Sequence, residues 1–338
     1  MAGQTKRQDE PHSMEARALW YEAPGLVSLR PVRRPQPERG GAVIRTLWSG
    51  LSRGTERLVF RGRIPASEYE RMRAPMQEGD FPFPVKYGYC AVGMVEEGPP
   101  EWMGLTVFAL HPHQTVFAAP LSALTEVPAH IPARRAILAA NMETALNALW
   151  DSGAGPGDRI AIVGGGLIGL LVAFLAAGLP GADVSVVDID ETRAEAVKAL
   201  GARFVPVGDA SGAGIGDADV VFHASTTAAG LTTALALGGM ESVIVDLSWY
   251  GDQFVAAPLG GAFHSRRLKL VSSQVGQVAA SRRPRWTYAR RMAKAIELLA
   301  DGRLDALITN EIAFEDAPEQ LPTLLSAHAA GLATAVRY

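Results

Sequence analysis

"RIAIVGGGLIGLLVAFLAAGL", residues 159–179, joins an apolar strand run, a three-glycine turn and an apolar helix run. The stretch is long enough to raise the question of a membrane span, but its density of glycine and the fingerprint it opens with favour a buried strand and helix. That fingerprint is Gly164-x-Gly166-x-x-Gly169. A chain with 35 glycines produces such a spacing by chance, so the context has to carry the reading. Here a strand pattern precedes the glycines, a helix pattern beginning Leu167-Ile168 follows, and Asp188 closes the next strand pattern, 19 positions after Gly169. Each part has a mechanical role. Gly164 permits the tight turn, Gly166 lets the backbone approach a pyrophosphate, and Gly169 lets helix and strand pack closely. The helix N-terminus then offers free N–H groups and a positive dipole end to phosphates. Asp188 would accept hydrogen bonds from both hydroxyls of an adenosine ribose and repel a 2'-phosphate, which points to NAD(H) over NADP(H). Arg193, five residues on, is expected at the ribose or adenine side.

Outward from this unit the texture differs on either side. Up to about residue 150, short β-rich runs ("AVIRTLW", "AVGMVEEG", "LTVFALHP", "QTVFAAP") alternate with Gly and Pro, the pattern of a mostly β domain. From Asp158 to about Gln277 the rhythm is strand, helix, strand, as in a parallel sheet with crossover helices. The last section, from "YARRMAKAIELLADGRLDALIT", begins with an amphipathic helix. The expected division is a disordered polar lead-in over 1–13 with Met14 a plausible alternative start, a β-rich domain over 14–147, a dinucleotide domain over 148–283 and a return segment over 284–338. With 338 residues, two domains are the natural expectation.

Composition narrows the function classes. A formal net charge of -3 supplies no field for nucleic acid or an anionic membrane. The single cysteine, Cys90, excludes an intramolecular disulfide and a four-cysteine zinc lobe, and its count fits a cytoplasmic address.

The order of these parts, with "RIAIVGGGLIGLL" and "VVDIDETRAEAVKALGA", resembles the medium-chain dehydrogenase/reductase superfamily. "SGLSRGTERLVFRGRIP" and "PVKYGYCAVGMVEEG" are similar to its branch containing the bacteriochlorophyllide dehydrogenase of bacteriochlorophyll synthesis. The resemblance implies an α/β fold in which a GroES-like, mostly β catalytic domain, built from both ends of the chain, holds an inserted Rossmann domain with a doubly wound parallel sheet. It also implies a homodimer through the Rossmann domain and an active site in the cleft. Thr144 and Ser225 are expected to complete the cofactor-facing set.

Carried over position by position, the family's zinc ligands fall on Ser52 or Arg53, on Tyr89, and near Ala140, with Glu143 three residues off register. Serine, tyrosine and alanine cannot supply a catalytic zinc's three converging ligands, so no zinc is expected. The alternative is a rebuilt site from Cys90, His111, His113 and Glu143. Without zinc, a side chain must manage the proton on the reacting oxygen. Tyr89 is the expected group, helped by a cation such as Lys86 or Arg53, with Thr55 as relay and Glu56 as the motif acid, which in the family usually serves a structural role. "DLSWYGDQFVAAPLGGAFHSRRLKLVSSQVG", residues 246–276, places Ser248, Trp249 and Tyr250 at the cleft, suggesting a bulky or planar small-molecule substrate. His264, with Arg266 and Arg267, is expected to anchor a substrate anion; the alternative is that the Arg pair, ahead of an edge strand, is a solvated face. Ser52 and Arg53 are assigned to substrate as well. The expected activity is NAD-linked oxidation of a secondary alcohol or reduction of a ketone. The alternatives are reduction of an activated C=C bond and a non-catalytic dinucleotide-binding protein.

Overall fold

A computed structural model describes residues 16–210, 212–327 and 329–338. The lead-in over 1–13 and Met14 lie outside the described residues. The β-rich section opens with β1 (Ala16–Ala23), β2 (Leu26–Val32), β3 (Gly41–Leu51) and helix α1 (Arg53–Phe60). It continues with β4 (Glu78–Gly79), β5 (Val85–Lys86), β6 (Ala91–Glu97) and β7 (Thr106–Ala109). Strands β8 (Val116–Pro120) and β9 (Leu124–Glu126) complete it before α2 (Ala133–Ala136) and α3 (Ala139–Ser152). The alternating section supplies β10 (Arg159–Val163), α4 (Leu167–Ala177), β11 (Asp183–Asp188), α5 (Ala194–Ala199) and β12 (Arg203–Pro206). After it come β13 (Ala218–His223), α6 (Ala228–Leu237), β14 (Gly238–Asp246) and β15 (Lys269–Ser272). The chain ends with α7 (Tyr288–Leu298), β16 (Ile308–Ala313), α8 (Ala317–Leu324) and β17 (Ala333–Arg337).

The apolar run of residues 159–179 thus becomes β10 and α4, both buried, because a parallel strand covered on both faces is apolar along its whole length. The six strands around it run parallel in the order β12-β11-β10-β13-β14-β15. This is the doubly wound order in which the sheet direction reverses between β10 and β13, opening a crevice at the carboxyl ends of the strands. Helices α3, α4 and α7 close one face around Ile160, Ile162, Leu171, Val186 and Phe222, and α6 closes the other around Val163, Val221, Leu231 and Leu235.

The β-rich domain is joined from two distant parts of the chain. Strand β17 pairs antiparallel with β3, placing Ala335 opposite Gly50, and β16 pairs beside it in the seven-stranded sheet. Strands β2, β1, β5 and β4 form a second, smaller sheet. The fold class is therefore α/β, a GroES-like domain with a Rossmann domain inserted. A buried ionic knot holds helices α3 and α7 together. Arg291 donates to Glu143 (2.9 Å), Asn147 (2.7 Å) and the carbonyl of Val275 (2.6 Å). Burial raises the Glu143 carboxyl, while Arg291 pulls it back down.

Candidate active site

The glycine loop lies at the carboxyl end of β10, and its three glycines are there for different reasons. Gly164 has φ +113°, and a Cβ on it would sit 2.8 Å from the backbone of Ala224 and Ser225. On Gly169 a Cβ would come within 1.9 Å of the Gly164 carbonyl oxygen, so close strand–helix packing excludes any side chain. Gly166, the N-cap of α4, has an ordinary extended backbone with nothing within 4 Å of where its Cβ would be, and no side chain caps the helix. Open space before a helix N-terminus lined by N–H groups fits the phosphates of a dinucleotide. Leu167 and Ile168, half-buried, turn down onto the core instead. Asp188 stands at the end of β11, where its carboxylate accepts N–H bonds from Gly165 and Asp190 (2.8 Å), each oxygen keeping a lone pair for a ribose hydroxyl. Arg193 is tied to Asp190 and to the Gly331 carbonyl, each at 3.1 Å, which orients it across the cleft. Thr144, half-buried on α3, returns its hydroxyl to the Ala140 carbonyl at 2.9 Å.

Across the cleft, the first turn of α1 and the segment before β6 meet. Tyr89 donates to the Ser52 hydroxyl, and Thr55 is within hydrogen-bonding reach of the same phenol oxygen. Burial, and to a lesser degree Cys90 and Glu56, raise the Tyr89 phenol above its ordinary value, outweighing the opposite pull of the two hydroxyls. Tyr89 is thus a neutral donor at physiological pH, not the cation-assisted base expected. The cations are elsewhere: buried Lys86 is bound to Glu78 and to Gln114 (2.6 Å). Arg53 gives its terminal nitrogens to the carbonyls of Ala329, Ala330 and Gly331, so its expected substrate role is corrected to one of anchoring the return segment. Glu56 is fully buried behind Ser52 rather than facing the cleft. It accepts from Tyr21 (2.7 Å) and the Ser52 backbone (2.7 Å) and pairs with His113 Nε2 (3.0 Å), so it braces α1.

Expected alternatives for a metal are separated in the same way. His113 Nδ1 meets Ser49 at 2.7 Å, His111 stacks on Phe117 at 3.9 Å, and Glu143 is engaged by Arg291. Burial pushes His111 down to about 3. Among the described residues no three His, Cys, Asp or Glu side chains cluster as metal ligands, so the rebuilt set of Cys90, His111, His113 and Glu143 does not converge.

Beyond β14, Trp249 packs on the core of the β-rich domain, the same core against which Tyr89 packs. The chain is drawn there by Asp252, which pairs with Arg63 at 2.7 Å, and by Gly251, whose Cβ would lie 2.5 Å from the Arg63 carbonyl oxygen. Tyr250 turns back, its phenol donating to Asp246 at 3.1 Å and lying 3.2 Å from His223 Nδ1. His264 is misplaced in the sequence reading. It is exposed, and its neighbour Arg266 bonds the Gly238 carbonyl at 2.7 Å, at the amino end of β14. In a parallel sheet the start of β15 lies beside the start of β14, so His264, Arg266 and Arg267 occupy the edge opposite the crevice. What the sequence reading missed is His223, buried at the carboxyl end of β13, with Asp246 opposite it on β14. A polar pair ending two neighbouring buried strands was the available signal.

A parallel-sheet crevice facing a β-rich domain built from both ends of the chain is a fold that known proteins share. Residues 151–270 match the family model of the alanine dehydrogenase/PNT C-terminal domain. The chain is 40% identical over 92 residues to an uncharacterized zinc-type alcohol dehydrogenase-like protein of Haemophilus influenzae, a match spanning 27% of each chain. Solved structures agree over nearly the whole length. An NADP-bound structure from Sinorhizobium meliloti 1021 has a TM-score of 0.77 at 19% identity, covering 96% of this chain and 99% of that one. The 2R,3R-butanediol dehydrogenase of Bacillus subtilis has 0.76 at 18% with the same coverage. A short chain alcohol dehydrogenase from E. coli CFT073 complexed with NADH has 0.76 at 15%, again covering 96% and 99%. No helix among the described residues is long and apolar enough to cross a membrane.

Proposed function

We propose that this chain is a zinc-independent, NAD(H)-linked medium-chain oxidoreductase that interconverts a secondary alcohol and a ketone on a bulky or planar substrate. The observation that carries the reading is the open cradle at Gly166, with Asp188 at one end of the crevice and the Ser52–Thr55–Tyr89 hydroxyl cluster across from it. The dinucleotide would be held by the Gly164–Gly169 loop, Asp188, Thr144 and Ser225, and would exchange a hydride with the substrate carbon. With substrate in place, the Tyr89 phenol turns its single proton from Ser52 to the substrate oxygen and accepts from the Ser52 hydroxyl instead, which orients it to stabilise charge developing on that oxygen. Trp249 and Tyr250 supply aromatic walls suited to a flat ligand. Tyr89's donor character equally suits reduction of an activated C=C bond, where an enolate needs only donors, and this is the second reading. The protomer pairs through the free edge of β15, which among the described residues is bonded only to β14.

Metal analysis of the purified protein, cofactor titration and product analysis test these points. Expected are no stoichiometric zinc, NADH bound at least about tenfold more tightly than NADPH (~1.4 kcal/mol for a misplaced phosphate), and an alcohol/ketone product pair. One zinc per chain, or equal affinity for the two cofactors, would refute the corresponding claim, and a saturated ketone product would select the second reading.

A further inference from the structure

Beneath the crevice, on the side of β13 and β14, a chain of hydrogen bonds leads from the cleft into the sheet. Ser225 Oγ is 2.7 Å from His223 Nε2, and His223 Nδ1 is 3.0 Å from Asp246 Oδ1. His223 is completely buried, whereas Ser225 is at the cleft edge, 3.0 Å from the Thr227 hydroxyl that caps α6. Asp246 also accepts from the Ser248 backbone (2.9 Å) and from Tyr250 (3.1 Å), so its carboxylate is fixed from three sides. Burial opposes its charge, yet the hydrogen bond from His223 and those from Ser248 hold the carboxyl below its usual range. With an ionised Asp246 accepting at Nδ1, the imidazole proton sits there and Nε2 is free to accept from Ser225. This is the hydroxyl–imidazole–carboxylate order that lets a hydroxyl pass a proton inward and lets the carboxylate stabilise the resulting imidazolium. Among the described residues no other ionisable group faces His223. Strand β14 brings Asp246, the loop after it brings Tyr250, and α6 is uncharged along its length.

The position matters as much as the geometry. In a doubly wound sheet the two halves each take one mononucleotide, and the half beyond the reversal, β13 to β15, faces the half that does not contact Asp188. If the proposed dinucleotide binding holds, His223 lies under its nicotinamide portion.

We infer that Ser225, His223 and Asp246 form a proton relay serving that half of the cleft. A bound dinucleotide would take up the hydride when the alcohol is oxidised, and the hydroxyl proton would remain for the protein to carry. That proton enters at Ser225 Oγ while the serine's own proton moves to His223 Nε2, leaving an imidazolium against Asp246. In the reverse direction the same atoms return it. Ser225 acts at the cleft, and His223 and Asp246 are positioning residues acting through it.

The test uses cofactor binding by the full chain, with NAD+ and NADH as probes. NAD+ carries a positive ring and disfavours an imidazolium beneath it, so between about pH 8 and 5, where an imidazole ordinarily gains its charge, NAD+ affinity should fall towards the acid end while NADH affinity changes less. Asp246→Asn removes the anion that favours imidazolium and should move the NAD+ transition to lower pH by about one unit or more. His223→Gln should flatten it. NAD+ affinity that is independent of pH, or a transition left in place by Asp246→Asn, would overturn the relay while leaving dinucleotide binding intact. Failure of both NAD+ and NADH to bind at any pH would overturn the dinucleotide reading and the relay with it.

Discussion

Gly166→Ala separates folding from cofactor binding more cleanly than any other single change in the loop. The backbone there is at φ -75°, ψ -180°, which alanine adopts freely, and the added methyl would meet nothing within 4 Å. Alanine is a poorer N-cap than glycine by several tenths to about 1 kcal/mol, but it restricts the unfolded chain by a similar 0.4–1 kcal/mol or so. The thermal midpoint should therefore stay within about 2 °C of wild type. Binding should not be spared. The methyl fills the space through which a phosphate would reach the α4 amides, and losing one hydrogen bond to a charged group costs about 1.5–3 kcal/mol, or roughly ten- to hundredfold in Kd. NADH fluorescence titration, paired with a melting curve, reads both quantities. Binding within twofold of wild type would refute the placement of phosphate at this glycine. Gly169→Ala is the counterpart. Its Cβ would be 1.9 Å from a backbone oxygen, so the loss should appear in the melting curve itself.

Arg291→Met leaves Glu143 buried without its cation, which should destabilise the protein by about 3–5 kcal/mol near neutral pH. Because burial already raises the Glu143 carboxyl in the folded state and Arg291 opposes that shift, the variant's folded-state value rises further. Stability tied to the protonated carboxyl is complete below the unfolded value and is lost as pH rises through the folded one, so Arg291→Met should melt higher near pH 5 than near pH 7. A midpoint unaffected by either the mutation or the pH would contradict the account. Tyr89→Phe should lower kcat by about 10²-fold if the phenol is the donor to the substrate oxygen, with cofactor affinity unchanged; an equal loss in NADH binding would assign Tyr89 to cofactor instead. Exchanging Asp188 for serine should narrow the preference for NADH over NADPH, as read by parallel titrations of the two cofactors.

The parts legible in the sequence were those whose cause is local. The strand–turn–helix around Gly164, Gly166 and Gly169, and Asp188 at the end of the next strand, depend on residues within one βαβ unit, so spacing was sufficient. The clustering of Ser52, Thr55 and Tyr89 was also readable, through a resemblance that located α1 and the start of β6 together. The errors concerned residues whose partners are distant in the chain. Lys86 is satisfied by Glu78 and Gln114, and Arg53 by carbonyls near residue 330. His264 was assigned to the cleft because it follows β14 in sequence. The chain had by then crossed back to the amino edge of the sheet.

By itself the sequence determined the strand–helix rhythm of the parallel sheet and the place of its glycine turn, because hydrophobic periodicity and glycine sterics act over a few residues; how the chain ends join into one domain came from the resemblance. The tertiary structure alone decided what each charged side chain does. Tyr89 keeps its proton because its partly buried setting raises the phenol and the nearby cations are bound elsewhere, and His223 acquires Asp246 and Ser225 because β13 and β14 end side by side. Protonation and proton transfer depend on neighbours within a few ångströms, and in a parallel sheet those neighbours come from strands separated by a whole helix.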